Sequence, residues 1–226
     1  MKLPEQILLL SLHDEKGSVL MSASSALPYA LAGALLLELH FSGKIELKDG
    51  RLKLLDASHT DDELLNEAID LMTQTRKIKK AGYWVERINS KIKNIRKRLL
   101  LRLVDAGILK EDHRKFLWLI PYNRYPAENP SPELSIRHNI RQIVLYGTKP
   151  DDHMAALISL VRACNLENEI FEREELKQAK RRIRDISQGE DIGKAVTDVT
   201  QAMTAAVAGA VAAATVAAAG SSSSSG

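Results

Sequence analysis

The sequence predicts a mainly α-helical fold with two short β-hairpins, on the basis of three observations. The 226 residues are 45% hydrophobic and 27% charged, which is typical of a globular protein with a buried core. Apolar residues recur at helical spacing in several segments, a pattern that indicates amphipathic helices. A pattern of leucine-rich helix, glycine and hairpin occurs twice, at 35–55 and at 99–119. The second occurrence indicates an internal duplication.

The first part of the chain is predicted to contain two helices and a hairpin. The apolar run at 7–12 indicates a short helix, and it is too short for the core of a secretion signal. Residues 29–41 are strongly apolar with helical spacing, and Gly43 is well placed to end that helix. Apolar and polar residues then alternate around Asp49 and Gly50. An Asp-Gly pair is a strong signal for a two-residue hairpin turn.

Further helices are predicted on both sides of a proline-rich loop at 121–132. Their segments are 61–75, 134–145, 151–165 and 166–187. Acidic residues such as Asp61 and Asp62 stand at the start of the first segment, where negative charge stabilises a helix N-terminus. The last segment is highly charged with few apolar residues, so we expect a peripheral helix.

The C-terminal residues differ in composition from the rest. We predict a helical domain at 1–190, an alanine-rich helix at 191–219 and a serine-rich flexible tail at 220–226. Alanine is a strong helix former and a weak hydrophobe, so the alanine-rich helix is marginal as a membrane span. Three placements remain open for it, on a partner, on the body of the protein or at a membrane interface.

The most basic stretch of the chain, at 76–102, is predicted to be one helix that carries the binding site. One side of this helix would present the apolar residues Ile88, Ile92, Ile95, Leu99 and Leu103 to the core. Arg96 lies at the margin of that stripe and Lys93 lies one turn before it, so both side chains can reach the same point. Such a pair can hold phosphate through charge-assisted hydrogen bonds, with Lys97 beside it as a third cation. The alternative is an ordinary solvated basic face.

Catalytic and metal chemistry have little support in the sequence. Cys164 is the only cysteine, so no internal disulfide or cysteine-based metal site can form. We expect it to be a small buried side chain. The six histidines include no HExxH motif and no pair at i, i+4. We therefore expect a cytosolic protein that is not an enzyme and needs no metal or cofactor.

The duplicated unit supports a second interpretation. Each copy resembles the recognition helix and wing of a winged-helix domain, and such domains commonly bind DNA through a basic helix. However, the basic helix here must bury its isoleucine and leucine stripe, and no additional basic wing is apparent around Gly50 or His113. Nucleic acid is therefore the alternative partner.

Four segments, taken together and in order, resemble the Golgi phosphoprotein 3 family. They are LPEQILLLSLHDEKG at 3–17, YALAGALLLELHFSGKIEL at 29–47, KIKNIRKRLLLRLVDAGILKEDHRKFLWL at 91–119 and ALISLVRACNLENEIF at 156–171. The resemblance implies a helical bundle ringed by amphipathic helices. It also implies a non-enzymatic peripheral membrane protein that recognises phosphatidylinositol 4-phosphate. Eukaryotic members of the family also bind cytoplasmic tails of glycosyltransferases and coatomer.

The resemblance also bears on the binding residues. The two basic residues of the family's (K/R)NVR turn, which contact phosphate, correspond to Lys93 and Arg96. The family's pocket tryptophan would fall near Ser22 or Ala23, and the arginine of its LRG turn is Ala32 here. Half of the family's pocket is thus replaced. The chain also lacks the hairpin insertion that the family carries just before its basic helix and the family's basic N-terminal extension, which points to a shortened relative, such as a bacterial one. We expect an anionic phospholipid surface as the partner, with protein tails and self-association as further possibilities.

Overall fold

The computed structural model describes residues 1–75, 77–116, 120–189 and 194–221, and the structural statements below concern these ranges. The helices are α1 (Leu3–Leu10), α2 (Leu27–Phe41), α3 (Glu63–Thr73), α4 (Ala81–Lys91), α5 (Ile95–Asp105), α6 (Ser131–Tyr146), α7 (Asp152–Ala163), α8 (Glu167–Ile170), α9 (Leu176–Ser187) and α10 (Lys194–Ser221). The strands are β1 (Ile45–Lys48), β2 (Arg51–Leu54), β3 (Lys79–Lys80), β4 (Asp112–Phe116) and β5 (Ile120–Arg124).

The predicted mainly α-helical fold is confirmed, and α2 lies at its centre. This helix packs against α1, α3, α4, α5, α7 and α10. Apolar residues cover all its sides, which is typical of a helix that is buried all round. Its one acid, Glu38, is 8% exposed and accepts a 2.7 Å hydrogen bond from the backbone N–H of Leu3, at the start of α1. The central helix therefore also fixes the position of the first one.

Amphipathic helices surround this centre, as the sequence resemblance implied. In α3, Leu65 and Met72 are buried on one side, while the opposite side faces solvent. The charged segment at 166–187 is two helices, α8 and α9, rather than the single peripheral helix that we predicted. Within α9, Ile183 and Ile186 are fully buried and the lysines and arginines lie around the rest of the surface.

The duplicated unit of helix, glycine and hairpin is present in both places. Gly43 follows α2 with φ 71° and Gly107 follows α5 with φ 67°. In each case the next residue closes the same turn, since Lys44 N–H donates to Leu39 O at 2.8 Å and Ile108 N–H donates to Leu103 O at 2.9 Å. This six-residue hydrogen bond is characteristic of a Schellman motif.

The hairpins that follow these turns are antiparallel. Strands β1 and β2 are joined by Asp49 and Gly50, with φ 51° and 69°. Two positive φ values are those of a type I′ turn, as the sequence predicted. Strand β3 adds a third strand next to β2, which we did not predict. Strands β4 and β5 form the second hairpin, and residues 117–119 between them lie outside the described part of the chain.

The alanine-rich helix α10 packs on the body through its first half. Val199, Met203 and Val207 are fully buried against α2, α4 and α7. Farther along, Val216 is 73% exposed. The segment Thr197–Val216 is long and apolar enough to cross a membrane by length and composition, but a third of its residues (33%) are buried in the protein. The predicted boundary at residue 190 and most of the serine tail, 222–226, lie outside the described residues.

Candidate functional site

The basic stretch at 76–102 is not one helix, and that prediction is wrong. Helix α4 ends at Lys91 and α5 begins at Ile95. Between them Ile92 is extended, with ψ 114°, and Asn94 has a left-handed backbone with φ 56°. Asparagine adopts this conformation more readily than most residues, because its short polar side chain can bond locally. The chain therefore turns a corner at 92–94.

The apolar stripe predicted for this stretch is nevertheless buried. Its members Ile88, Ile92, Ile95, Leu99 and Leu103 are all 7% exposed or less. Two of them, Ile92 and Ile95, lie at the corner itself. These two side chains lie on either side of Asn94. Their burial removes apolar area from water and so stabilises the corner next to α2.

Two arginines of α5 are committed to acidic partners. Arg98 bonds Glu67 at 2.6 Å and Glu63 at 2.9 Å. Arg102 forms two parallel hydrogen bonds to Asp62, at 3.0 and 2.8 Å. These contacts join α5 to the first half of α3. Both arginines therefore serve the fold.

Asp62 is the acidic centre of this network. Its side chain is 6% exposed, caps α3 by accepting from Leu64 N–H, and also bonds Lys2 Nζ at 3.0 Å. Burial by itself would raise the pKa of Asp62, but hydrogen bonds and charge from Arg102 and Lys2 outweigh it and hold this pKa well below its usual range. The carboxylate is thus ionised at neutral pH.

A cavity of about 370 Å³ lies between the start of α2 and the corner that joins α4 to α5. Its apolar wall consists of Leu27, Pro28, Leu31, Ile92 and Ile95. Its polar lining consists of Ser24, Asn89, Asn94, Arg96 and Lys97. Ligand sites commonly combine a largely apolar wall with a few convergent polar groups.

The polar lining of the cavity is electropositive. Arg96 and Lys97 stand in the first turn of α5, and both side chains are exposed. Within the described ranges neither is paired with a carboxylate. The first N–H groups of a helix lack partners inside it, and Asn94 makes no side-chain bond to them. A helix N-terminus with two cations on its first turn favours anion binding.

Lys93 occupies a different place from the other two candidates. It lies in the corner, outside both helices, and is exposed without lining the cavity. Two of the three predicted site residues, Arg96 and Lys97, therefore line the cavity, whereas Lys93 does not. Asn89 and Asn94 also line the cavity and were not predicted from the sequence. Their occurrence with Ser90 within six residues is a helix-breaking signal that could have revealed the corner.

The residues that differ from the family's pocket, Ser22, Ala23 and Ala32, lie outside the cavity. Ala23 and Ala32 are fully buried, and neither lines the cavity. Ser22 is partly exposed and donates a 3.3 Å hydrogen bond to Glu169. Aromatic side chains and further cations are thus missing from the cavity as the described residues define it.

Cys164 lies away from this cavity, in the core. Its side chain is fully buried as predicted, and burial raises the pKa of its thiol to about 12. Since the thiolate is the nucleophilic and metal-binding form, this cysteine stays inert at neutral pH. Among the described residues, no three histidine, cysteine, aspartate or glutamate side chains are grouped so as to hold a metal ion.

Comparison with known proteins agrees with the resemblance seen in the sequence. Relatives that match include two proteins named vacuolar protein sorting-associated protein 74. The one from Eremothecium gossypii is 27% identical over 164 residues, with 63% of this chain and 49% of the relative covered. The one from Schizosaccharomyces pombe is 29% identical over 163 residues, with 63% and 48% covered.

The chain thus spans about half the length of these curated relatives. The sequence model of one family, described as Golgi phosphoprotein 3 (GPP34), matches residues 3–203, which includes the cavity and the beginning of α10. The chain therefore belongs to the Golgi phosphoprotein 3 family.

Proposed function

We propose that this chain is a non-enzymatic peripheral membrane protein that binds phosphorylated lipid head groups at the cavity between α2 and α5. Membership of a Golgi phosphoprotein family supports a role at a membrane. The relatives' name, which refers to vacuolar protein sorting, supports a place on the cytoplasmic face of a sorting compartment, or of an equivalent membrane in a cell without one.

The polar lining of the cavity carries this proposal. Arg96 and Lys97 occupy consecutive positions in the first turn of α5, and both line the cavity. A phosphomonoester placed there would receive charge-assisted hydrogen bonds from both side chains and from the helix N-terminus. The apolar wall would face the glycerol and acyl part of the lipid. Lys93, which is exposed but does not line the cavity, would attract the anionic surface without touching the bound phosphate.

The replaced positions set the expected selectivity. A phosphoinositide head group would meet two cations among the described cavity residues, Arg96 and Lys97, but no aromatic side chain to stack on. The positions that correspond to the family's tryptophan and second arginine hold small residues, and of these Ala23 and Ala32 are buried in the core. Each charge-assisted hydrogen bond contributes about 1.5 to 3 kcal/mol. We therefore expect this chain to prefer phosphomonoester lipids, such as phosphatidylinositol 4-phosphate, over phosphodiester lipids by a modest factor. Protein tails and self-association are further proposals that depend on the family alone.

Nucleic acid is the competing ligand, and the burial of α2 argues against it. In a winged-helix protein the helix before the wing enters the major groove. Here α2 is covered on all sides, and α5 uses Arg98 and Arg102 to hold α3. Neither helix is therefore free to enter a groove with a complete basic face.

Co-sedimentation with vesicles tests the proposal. Phosphatidylcholine vesicles are compared with vesicles that also contain phosphatidylglycerol or phosphatidylinositol 4-phosphate. The variant Arg96→Ala/Lys97→Ala should lose about tenfold or more of its affinity for the phosphoinositide vesicles, because two charge-assisted bonds are removed. Lys93→Ala should lower binding to both anionic vesicles equally and by a smaller factor.

Lys177→Ala/Lys180→Ala is the matched control, since both lysines are exposed on α9 and the same charge is lost. It should retain nearly the affinity of the parent chain. Equal losses in the control and in the cavity variant would show that net charge, not the cavity, governs binding. Duplex DNA is assayed in parallel, and strong DNA binding with no vesicle binding would contradict the proposal.

A further inference from the structure

A second basic surface lies on the small sheet, away from the cavity. It flanks Gly50, where no additional basic wing was expected from the sequence. In the register of this sheet, Lys48 of β1 stands opposite Arg51 of β2, and Arg51 stands opposite Lys80 of β3. The three side chains are exposed and form one row across the strands. Adjacent strands place opposite side chains about 5 Å apart on one face. We call these residues the cation row.

The cation row is not neutralised by the protein. Glu46, the acid on the same face, pairs with Lys53 at 3.6 Å. Among the residues that the structure describes, none of the three row members has an ion pair. Like charges that face each other directly across strands destabilise a sheet. A row of this kind therefore favours a negatively charged ligand that contacts all three side chains.

An exposed aliphatic side chain lies beside the cation row. Ile78, immediately before β3, is 50% exposed. Two shallow cavities of about 510 and 520 Å³ adjoin it, and both are lined by Ile78 and Arg51. Lys77, Lys79 and Lys80 also line the first of them, and Lys48, Lys53 and the acidic Asp49 line the second. Most of the described residues that line these cavities with the isoleucine are thus cations, and Asp49 is the one acid among them.

This combination identifies the class of partner. A nucleic-acid backbone would use the cations, but an isoleucine gains nothing from phosphates in water. An anionic bilayer uses both, because basic side chains are attracted to its surface and apolar side chains enter the region between head groups and acyl chains. The chemistry of the surface therefore fits a membrane better than a duplex.

Helix α4 connects this surface to the cavity. Lys80 is the N-cap of α4, and the corner that lines the cavity follows its last residue. Eleven residues of α-helix span about 16 Å. Between the two ends, the ring of Tyr83 makes cation–π contacts with two basic side chains. Lys79 Nζ lies 5.2 Å and the guanidinium carbon of Arg87 lies 5.9 Å from the ring centroid. The two electropositive regions therefore lie at opposite ends of one short, rigid element.

We propose that the cation row and Ile78 form a second contact with an anionic bilayer, in addition to the head-group cavity. The proposal depends on the membrane role proposed above but on different residues. The second contact would recognise surface charge in general, whereas the cavity recognises a single phosphate. Two contacts at the two ends of α4 would hold the protein in one orientation on the bilayer.

The variant Lys48→Gln/Arg51→Gln/Lys80→Gln tests this in the full chain. Its partition onto phosphatidylglycerol vesicles should fall about tenfold or more at low salt, since each basic residue near the surface contributes severalfold. The loss should diminish at high salt. Ile78→Ser, which keeps every charge, should lower partition severalfold at both salt concentrations. Circular dichroism and urea unfolding verify that each variant is folded.

Lys177→Gln/Lys180→Gln/Arg181→Gln on α9 removes the same charge from another exposed surface and should change partition less than twofold. Equal losses in this control and in the cation-row variant would overturn the proposal. It would also be overturned if the cation-row variant lost binding to duplex DNA while keeping its vesicle binding.

The Arg96→Ala/Lys97→Ala variant separates this proposal from the proposed function. If only the cavity variant loses vesicle binding, the cation row is not a membrane contact. If only the cation-row variant loses it, the second contact stands and the cavity assignment fails. If both contacts exist, each variant is impaired, and the combined variant should bind anionic vesicles no better than neutral ones.

Discussion

At the scale of single residues, Asp62 carries the most concentrated set of interactions near the site. It joins Lys2, the first turn of α3 and Arg102. Replacing one partner of a buried ion pair typically costs about 3 to 5 kcal/mol, because the remaining charges lose their counterion. We expect Asp62→Asn to lower the free energy of unfolding at pH 7 by about 3 kcal/mol, as measured by urea denaturation.

The effect should depend on pH in a defined direction. The pKa of Asp62 is depressed in the folded state, so its stabilisation is present above the unfolded pKa of about 3.9 and is lost as pH falls toward the folded pKa. The difference between the parent chain and Asp62→Asn should therefore narrow below about pH 4. Asp61→Asn is the control, since the Asp61 side chain is 94% exposed. A difference that stays constant down to pH 2 would contradict the assignment.

Single residues also show what a sequence can and cannot indicate about the site. Arg96 and Lys97 could be selected as candidates because cations near an apolar stripe are visible in the sequence. Their separation from Arg98 could not, since it depends on Glu63 and Glu67 of α3 being near in space. The different position of Lys93 follows from the left-handed φ of one asparagine.

At the scale of elements, the corner between α4 and α5 determines the shape of the cavity. Asn94 holds φ 56° at that corner. The left-handed backbone conformation costs about 1 to 2 kcal/mol for a residue that has a Cβ and no polar side chain to bond locally. It costs glycine almost nothing. We expect Asn94→Ala to lower the free energy of unfolding by about 1 kcal/mol or more and Asn94→Gly to be nearly neutral. Equal stability of the two variants, again by urea denaturation, would show that the corner relaxes into a continuous helix.

The elements also differ in how well the sequence could predict them. The first hairpin was predictable because Asp49 and Gly50 alone specify a type I′ turn. Strand β3 was not predictable, since its two lysines show no strand pattern. They pair with β2 only because the tertiary fold brings the two segments together. The separation of α8 from α9 was missed for a related reason. The charged residues between them, such as Glu172 and Arg173, give no turn signal as clear as glycine or proline.

At the scale of the whole molecule, α10 completes the core. Met203 is fully buried where α10 packs on α2 and α4. Truncating a buried methionine to alanine costs about 2 to 5 kcal/mol. Met203→Ala should therefore lower the free energy of unfolding by that amount, whereas Val216→Ala, at a position 73% exposed, should change it by less than about 0.5 kcal/mol. A neutral Met203→Ala would mean that α10 is detached from the body in solution.

The complete burial of the apolar side chains of α1 has a consequence for how the protein is made in the cell. Its side chains Leu3, Ile7 and Leu8 are fully buried, and they contact α7 as well as α2. A helix of eight residues does not persist alone in water. Because synthesis adds about 5 to 20 residues per second, this leucine-rich segment leaves the ribosome on the order of ten seconds before α7 can cover it. Nascent chains of this protein should therefore be clients of ribosome-associated chaperones during that interval.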